Sequence, residues 1–259
     1  SLCMQALKKN MNVAYIDCEH SLSRQLVRDM GKEVDINPDK IDLIQCYVGD
    51  DNLDAGEILM KSGELDVLVI DSVTALLPKS MAEGEIGDNT IGLLARLMSK
   101  ACLKLTPIAS YTNTLLIFIN QIRMDVNRWG DSRVPTGGQA LSFYSTGRVK
   151  IEGGESKNSK IVNEDGLVVG HKCNFTVIKN KLSAPWRTAN IELIYGRGYD
   201  FIMEVVDLAI QFGVIEQAGA WFNYDGEKYQ GKRSLIDLFK ENNGVYEKVR
   251  GSVKETLGL

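Results

Sequence analysis

Two apolar runs in this 259-residue chain each end on an acid. VLVID, residues 67–71, closes on Asp71 and is followed by Ser72; NVAYIDCEH, residues 12–20, reaches an acid at Asp17 and places Glu19 two residues further on. A short run rich in β-branched residues fits a strand buried on both faces, as in a parallel sheet. Its terminal carboxylate then lies at the C-terminal edge, where open α/β sheets bind ligands, and an aspartate there can orient the magnesium of a nucleoside triphosphate. Glu19 could polarise a water attacking a γ-phosphate, although an ordinary surface glutamate would look the same. FINQIR, residues 118–123, puts Asn120, Gln121 and Arg123 at the end of another such run. An amide there can sense a γ-phosphate and pass the result into the next loop, or simply cap a turn. Lys179 and Lys181 alternate in VIKNKLSAP and so share one face; such a pair forms a solvated edge, or clamps phosphate oxygens from a neighbouring subunit as an arginine finger does.

Two glycine-containing, irregular stretches follow apolar runs: EGEIGDNT at 83–90 and MDVNRWGDSRVPTGG at 124–138. Around the second cluster Arg123, Arg128 and Arg133 with Val126 and Trp129. Arginines for phosphates beside apolar side chains able to stack on bases is a composition suited to single-stranded nucleic acid. A core aromatic is the alternative for Trp129, but no helix or strand period surrounds it. His20 and His171 are too far apart in sequence to suggest a metal site.

These residues need a scaffold. NVAYID (12–17), IDLIQC (41–46), DVLVID (66–71) and TLLIFINQ (114–121) read as buried strands. Ile91, Leu94, Ala95, Met98, Ala101, Cys102 and Leu105 keep helical spacing, with Asp88 as an N-cap. Alternating strands and helices imply a parallel sheet covered on both sides. After Gly147 the strand candidates GRVKIEG, KCNFTVIKN and NIELIYG suggest an antiparallel extension of that sheet. From Gly198 a helix near Met203–Phe212, the hairpin WFNYDGEKY turning at Asp225-Gly226, and two closing helices make a small α+β domain. The expected division is 1–197 and 198–259. A net charge of −4 excludes a generally basic nucleic-acid coat, so any such contact is local. Five widely spaced cysteines read as buried thiols in a reducing compartment, and no signal peptide or membrane-length apolar run is present.

VLVIDS resembles a Walker B strand, which calls for a Walker A loop, G-x-x-x-x-G-K-S/T, earlier in the chain; none occurs in the 259 residues. Taken in order, IDCEH, VLVIDSVTALLPK, EGEIGD, LLIFINQIRM, the TGGQAL stretch with its following Phe143-Tyr144, VIKNKLSAP and VDLAIQFGVIEQAGAWF resemble the bacterial RecA recombinase family over essentially the whole chain. In that family the Walker A loop precedes the helix that begins near Ser1. The resemblance therefore implies a piece lacking that loop and the subunit-linking N-terminal helix and strand, by truncation or from a split gene, a phage gene included.

The resemblance implies a RecA-type, mostly parallel α/β sheet and an ATP- and magnesium-dependent, DNA-dependent ATPase. It implies a homo-oligomeric helical filament on single-stranded DNA that pairs double-stranded DNA, in the cytoplasm of a bacterium or a phage-infected host, with a LexA-like repressor as a further partner. Glu19 would activate water, Asp71 would support magnesium beside Ser72, and Gln121 would couple the γ-phosphate to the second loop. Lys179 and Lys181 would reach the adjacent subunit's nucleotide, near Tyr195. DNA contacts would come from Ile91, Arg96, Ser99, Arg123, Val126, Trp129, Gly137, Gly138 and Gln139. Ser23 and Leu26 stand where the family carries an aspartate and an adenine-stacking tyrosine, and Leu103 replaces a DNA-contacting arginine. Two rival readings are a non-catalytic DNA-binding or assembly subunit needing a separate P-loop chain, and a RecA-fold helicase-type ATPase; the AGAWF unit speaks against the latter.

Overall fold

The computed structural model describes residues 2–33, 35–88, 90, 92–124, 133–154, 159–163 and 165–258. The first half runs α1 (Leu2–Lys8), β1 (Val13–Asp17), α2 (Arg24–Glu33), β2 (Ile41–Ile44), α3 (Gly49–Lys61), β3 (Val67–Asp71), α4 (Lys79–Ala82), α5 (Leu93–Thr112), β4 (Leu115–Phe118), β5 (Ile122–Met124), β6 (Arg133–Pro135) and α6 (Ala140–Tyr144). The second half runs β7 (Gly147–Gly153), β8 (Lys160–Val162), β9 (Val168–Asn180), β10 (Thr188–Ile194), β11 (Gly198–Tyr199), α7 (Phe201–Gln211), β12 (Glu216–Ala218), β13 (Trp221–Tyr224), β14 (Glu227–Gln230), α8 (Gly231–Glu241) and α9 (Asn243–Leu257). Two compact units result, one of residues 1–148 with 179–183, the other of 149–178 with 184–259.

The first unit is built on a parallel sheet in the order β2-β1-β3-β4. The central strands β1 and β3 are largely buried because both of their faces are covered, whereas the edge strands β2 and β4 are more exposed. Ala14, Ile16, Leu68 and Ile70 pack against Leu53 and Met60 of α3 and Met98, Ala101, Cys102 and Leu105 of α5. Val13, Val67 and Val69 point the other way, onto Met4, Ala6 and Leu7 of α1. Gly56 lets α3 approach closely: a Cβ there would lie 3.0 Å from Leu68 Cδ2 and 3.2 Å from Ile16 Cδ1. β1 and β3 pair in register from Val13↔Val67 to Asp17↔Asp71, so the two chain-reversing ends carry their acids side by side.

The antiparallel strands expected after Gly147 are present and hydrogen-bond to one another as a sheet of their own, ordered β11-β10-β9-β7 with β8 also on β9. In the second unit α7, α8 and α9 bury Val206, Leu235, Phe239 and Val249 with Phe222 of the β12-β13-β14 sheet. The β13–β14 turn falls at Asp225 (φ 53°) and Gly226 (φ 84°), both in the left-handed region that two-residue hairpins require. Among the described residues no helix is long and apolar enough to cross a membrane. All five cysteines are free thiols; Cys18, Cys102 and Cys173 are buried.

One local expectation is corrected. Asp88 does not cap α5; Gly92, with φ 75°, is the N-cap and makes no side-chain bond. The Asp88 carboxylate accepts the Glu85 N–H at 2.8 Å instead, closing a turn within the preceding loop. A stability test follows from the doubly covered sheet. Leu68 in β3 is 0% exposed, so Leu68→Ala should cost about 2–5 kcal/mol in denaturant unfolding. A loss below about 0.5 kcal/mol would contradict the central position of β3.

Candidate nucleotide and DNA-coupling site

The C-terminal ends of β1, β3 and β4 bring Glu19, Ser72 and Gln121 together, three residues far apart in sequence. The Ser72 hydroxyl donates to Glu19 Oε1 at 2.6 Å, and Gln121 Nε2 approaches the same oxygen at a longer 3.4 Å. Glu19 is exposed while Ser72 is only 1% exposed, so a buried anchor holds an accessible carboxylate. Asp71, one residue before Ser72 and joined to it by a cis peptide, receives the Tyr15 hydroxyl on Oδ2.

Sequence reasoning named the acid at Asp17 only as a strand end, yet it organises the loop that carries Glu19. It is 1% exposed and accepts the N–H groups of Ser21 at 3.3 Å and Leu22 at 3.0 Å, together with Gln45 Nε2 at 2.9 Å. Burial pushes its pKa up, but the bonds from Leu22, Gln45 and Ser21 outweigh that and hold it below the usual carboxylate value. The Cys18 thiol between Asp17 and Glu19 is pushed up to about 12, first by burial and then by the neighbouring carboxylates, so it is an inert packing group.

A second network, whose Thr74 and Thr136 members the sequence did not single out, ties the edge to the second loop. Asn120 Oδ1 accepts from Thr136 Oγ1 at 2.6 Å and from the Gln121 N–H at 2.9 Å, while its Nδ2 donates to the Thr136 carbonyl at 2.9 Å. Thr74, in the 3-10 turn after Ser72, shares a 2.8 Å bond with Thr136. β5 and β6 form the loop's stem, with Arg123 opposite Val134 and exposed. Gly137 (φ 78°) and Gly138 (φ 75°) follow; Cβ atoms there would meet Val73 Cγ1 at 2.9 Å and Ala95 Cβ at 2.8 Å. These glycines thus seat the stem against α5 and the Val73 turn, while Gln139 beside them is exposed. Arg96, Ser99 and Leu103 lie on the solvent side of α5. Ile91, Val126 and Trp129, with Arg128, lie outside the described residues.

Lys179 is the next-to-last residue of β9, and Lys181 stands just beyond the strand rather than within it. The Lys179 ammonium docks on the carbonyls of Ser142 at 2.6 Å and Phe143 at 3.0 Å, near the C-terminus of α6. Burial, then Lys181 and Arg148, lower its pKa. In the second unit Tyr195 is exposed, with its hydroxyl 3.3 Å from His171 Nδ1.

The donor set is one of hard oxygens. Tyr15 occupies Asp71 Oδ2, and among the described residues nothing hydrogen-bonds Oδ1. Such a carboxylate suits magnesium, which keeps much of its water and takes few protein ligands.

Comparison with known proteins gives a consistent result. The RecA N-terminal domain model matches residues 1–200 and the RecA C-terminal domain model residues 203–258. Protein RecA of Acinetobacter baumannii is 38% identical over 255 residues, covering 98% of this chain and 70% of that protein. Protein RecA of Paramagnetospirillum magneticum is 37% identical, covering 98% and 69%, and that of Desulforapulum autotrophicum 35%, covering 98% and 72%. The crystal structure of the RadB recombinase aligns with a TM-score of 0.54 at 19% identity, over 76% of this chain and 82% of that one, a likeness of fold.

The Asp17 network predicts a pH signature. A carboxyl whose folded pKa is depressed contributes stability above its unfolded value, about 3.9, and loses it as pH falls through the folded value. Asp17→Asn should therefore lower unfolding stability by about 1–3 kcal/mol at pH 7, and the gap to the parent should close below about pH 4. A gap unchanged down to acid pH would mean the charge of Asp17 contributes nothing.

Proposed function

The chain belongs to the RecA family, and on that premise we propose that it is the working body of a recombinase: an ATP-dependent filament former on single-stranded DNA that promotes homologous pairing and strand exchange in the bacterial or phage-infected cytoplasm. In this reading residues 1–197 are the ATPase core and 198–259 a small C-terminal domain. The observation that carries it is the shared Glu19 oxygen, which joins Ser72, at the end of β3, to Gln121 and so to the stem of the second loop.

Ser72 and Gln121 both address Glu19 Oε1. Oε2 is then the oxygen placed to accept a proton from water as it attacks a γ-phosphate. Magnesium bound with ATP neutralises charge on the β- and γ-phosphate oxygens. Asp71, steadied by Tyr15 and flanked by Ser72, would hold its water shell. A phosphate drawing the Gln121 amide away from Glu19 would pull on the chain at Ile122, the first residue of the loop stem, and so report nucleotide state to DNA. Arg96, Ser99, Arg123 and Gln139, with Ile91, Val126, Trp129 and the backbone at Gly137 and Gly138, are proposed as the DNA-facing set. Lys179, Lys181 and Tyr195 are proposed to act on the adjacent subunit's nucleotide, Lys179 after leaving the Ser142 and Phe143 carbonyls. A repressor partner rests on family resemblance alone.

The test uses the gene's complete protein product, because a polypeptide of these 259 residues alone has no G-x-x-x-x-G-K-S/T loop to grip phosphates and is expected to show no appreciable ATPase. Glu19→Gln should cut DNA-dependent hydrolysis by about 10²–10⁴-fold while ATP and single-stranded DNA binding persist. Mixing it with Lys179→Ala protein should restore part of the activity at interfaces pairing an intact Glu19 with an intact lysine. Normal turnover by Glu19→Gln would overturn the assignment of the base; absence of rescue with mixed assembly verified would place the lysines in cis.

A further inference from the structure

We infer that Tyr15 is a positioning residue for Asp71, fixing the orientation in which that carboxylate meets the metal–nucleotide; this rests on the reading of Asp71 given above. Tyr15 sits on β1 as the Cα partner of Val69, two residues before Asp71 on β3. Residues two apart in a strand share a face, so the tyrosine hydroxyl reaches diagonally across the strand pair and donates to Asp71 Oδ2. Its ring packs with the cluster of Met4, Ala6 and Leu7 from α1 and Val13, Val67 and Val69 from the sheet. A ring held on that side presents its O–H at one place.

The hydroxyl is what calls for explanation. A phenylalanine would fill the same space among apolar neighbours, and the hydroxyl of a half-buried tyrosine calls for a partner. The partner here is the one carboxylate of β3, at the edge where ligand chemistry is expected. A bond from a fixed donor to Oδ2 restricts the carboxylate's rotation and settles which oxygen remains for water or metal. Loss of a group that holds a metal-facing carboxylate in this way commonly weakens metal affinity or activity by about 10–100-fold. Tyr15 also stands between α1 and Asp71, so displacement of that helix would be felt at the carboxylate.

The complete protein, with single-stranded DNA and a non-hydrolysable ATP analogue, should be titrated with Mn²⁺ and free metal read by electron paramagnetic resonance. Tyr15→Phe keeps the ring and removes only the donor, while Asp71→Asn serves as reference. The expected result is metal affinity about 10-fold weaker in Tyr15→Phe, with the magnesium concentration for half-maximal hydrolysis raised in step and saturating turnover little changed. Asp71→Asn should lose metal binding to a larger degree. Parent-like metal affinity in Tyr15→Phe beside a defective Asp71→Asn would overturn the role of Tyr15 and leave the site standing; a lowered unfolding midpoint with unaltered metal affinity would do the same by showing a purely structural bond. Parent-like affinity in Asp71→Asn would remove the site itself, and the inference with it.

Discussion

The in-register parallel pairing of β1 with β3 is the constraint on which the site depends. Because both strands are largely apolar up to their terminal acids, the pairing that sets Val13 to Ile16 against Val67 to Ile70 must also set Asp17 beside Asp71. A slip of one residue would turn each strand's side chains to the opposite face and break both cores. Two neighbouring carboxylates at a sheet edge repel, and each is therefore supplied with its own donors: backbone amides and Gln45 for Asp17, the Tyr15 hydroxyl for Asp71. Glu19 and Ser72 meet because the segments leaving those two strands start from adjacent points.

The same edge continues onto β4, whose end is read by Asn120 and Gln121. Asn120 spends its bonding capacity inside the protein, on Thr136 and on the N–H of Gln121. Gln121 reaches outward to Glu19. One amide thus fixes the base of the loop stem while its neighbour can respond to what lies at the edge. The close approach of Gly137 and Gly138 to Val73 and Ala95 joins this base to α5, where Arg96 and Ser99 face solvent. The physical continuity from Glu19 to both segments proposed to face DNA runs through short contacts within one compact unit.

Much of this was legible from residue order. The four parallel strands announce themselves as short β-branched runs, and Glu19, Ser72 and Gln121 stand at their ends, where chemistry in such sheets collects. What escaped was the support beneath them. Asp17 looks like a strand terminator until three donors are seen to converge on it, and those donors come from a turn and from Gln45, whose proximity only folding creates. Tyr15 did carry a signal: a lone hydroxyl inside VAYID has to find a partner. Asp88 failed as a helix cap because an aspartate has a competing local use, closing its own turn, that sequence spacing does not distinguish. The position of Lys181 beyond the end of β9 likewise depends on where pairing stops rather than on alternation.

The shared Glu19 oxygen is proposed as the point where nucleotide chemistry and the DNA loop meet. The most direct measurement is a cryo-electron microscopy structure of the complete protein assembled on single-stranded DNA with magnesium and a non-hydrolysable ATP analogue. In that structure a γ-phosphate should be separated from Glu19 by one water, Asp71 should lie on the magnesium's water shell, and the Gln121 amide should turn from Glu19 toward that phosphate. A triphosphate bound away from the ends of β1 and β3, or a Gln121 side chain unmoved beside a bound γ-phosphate, would contradict it.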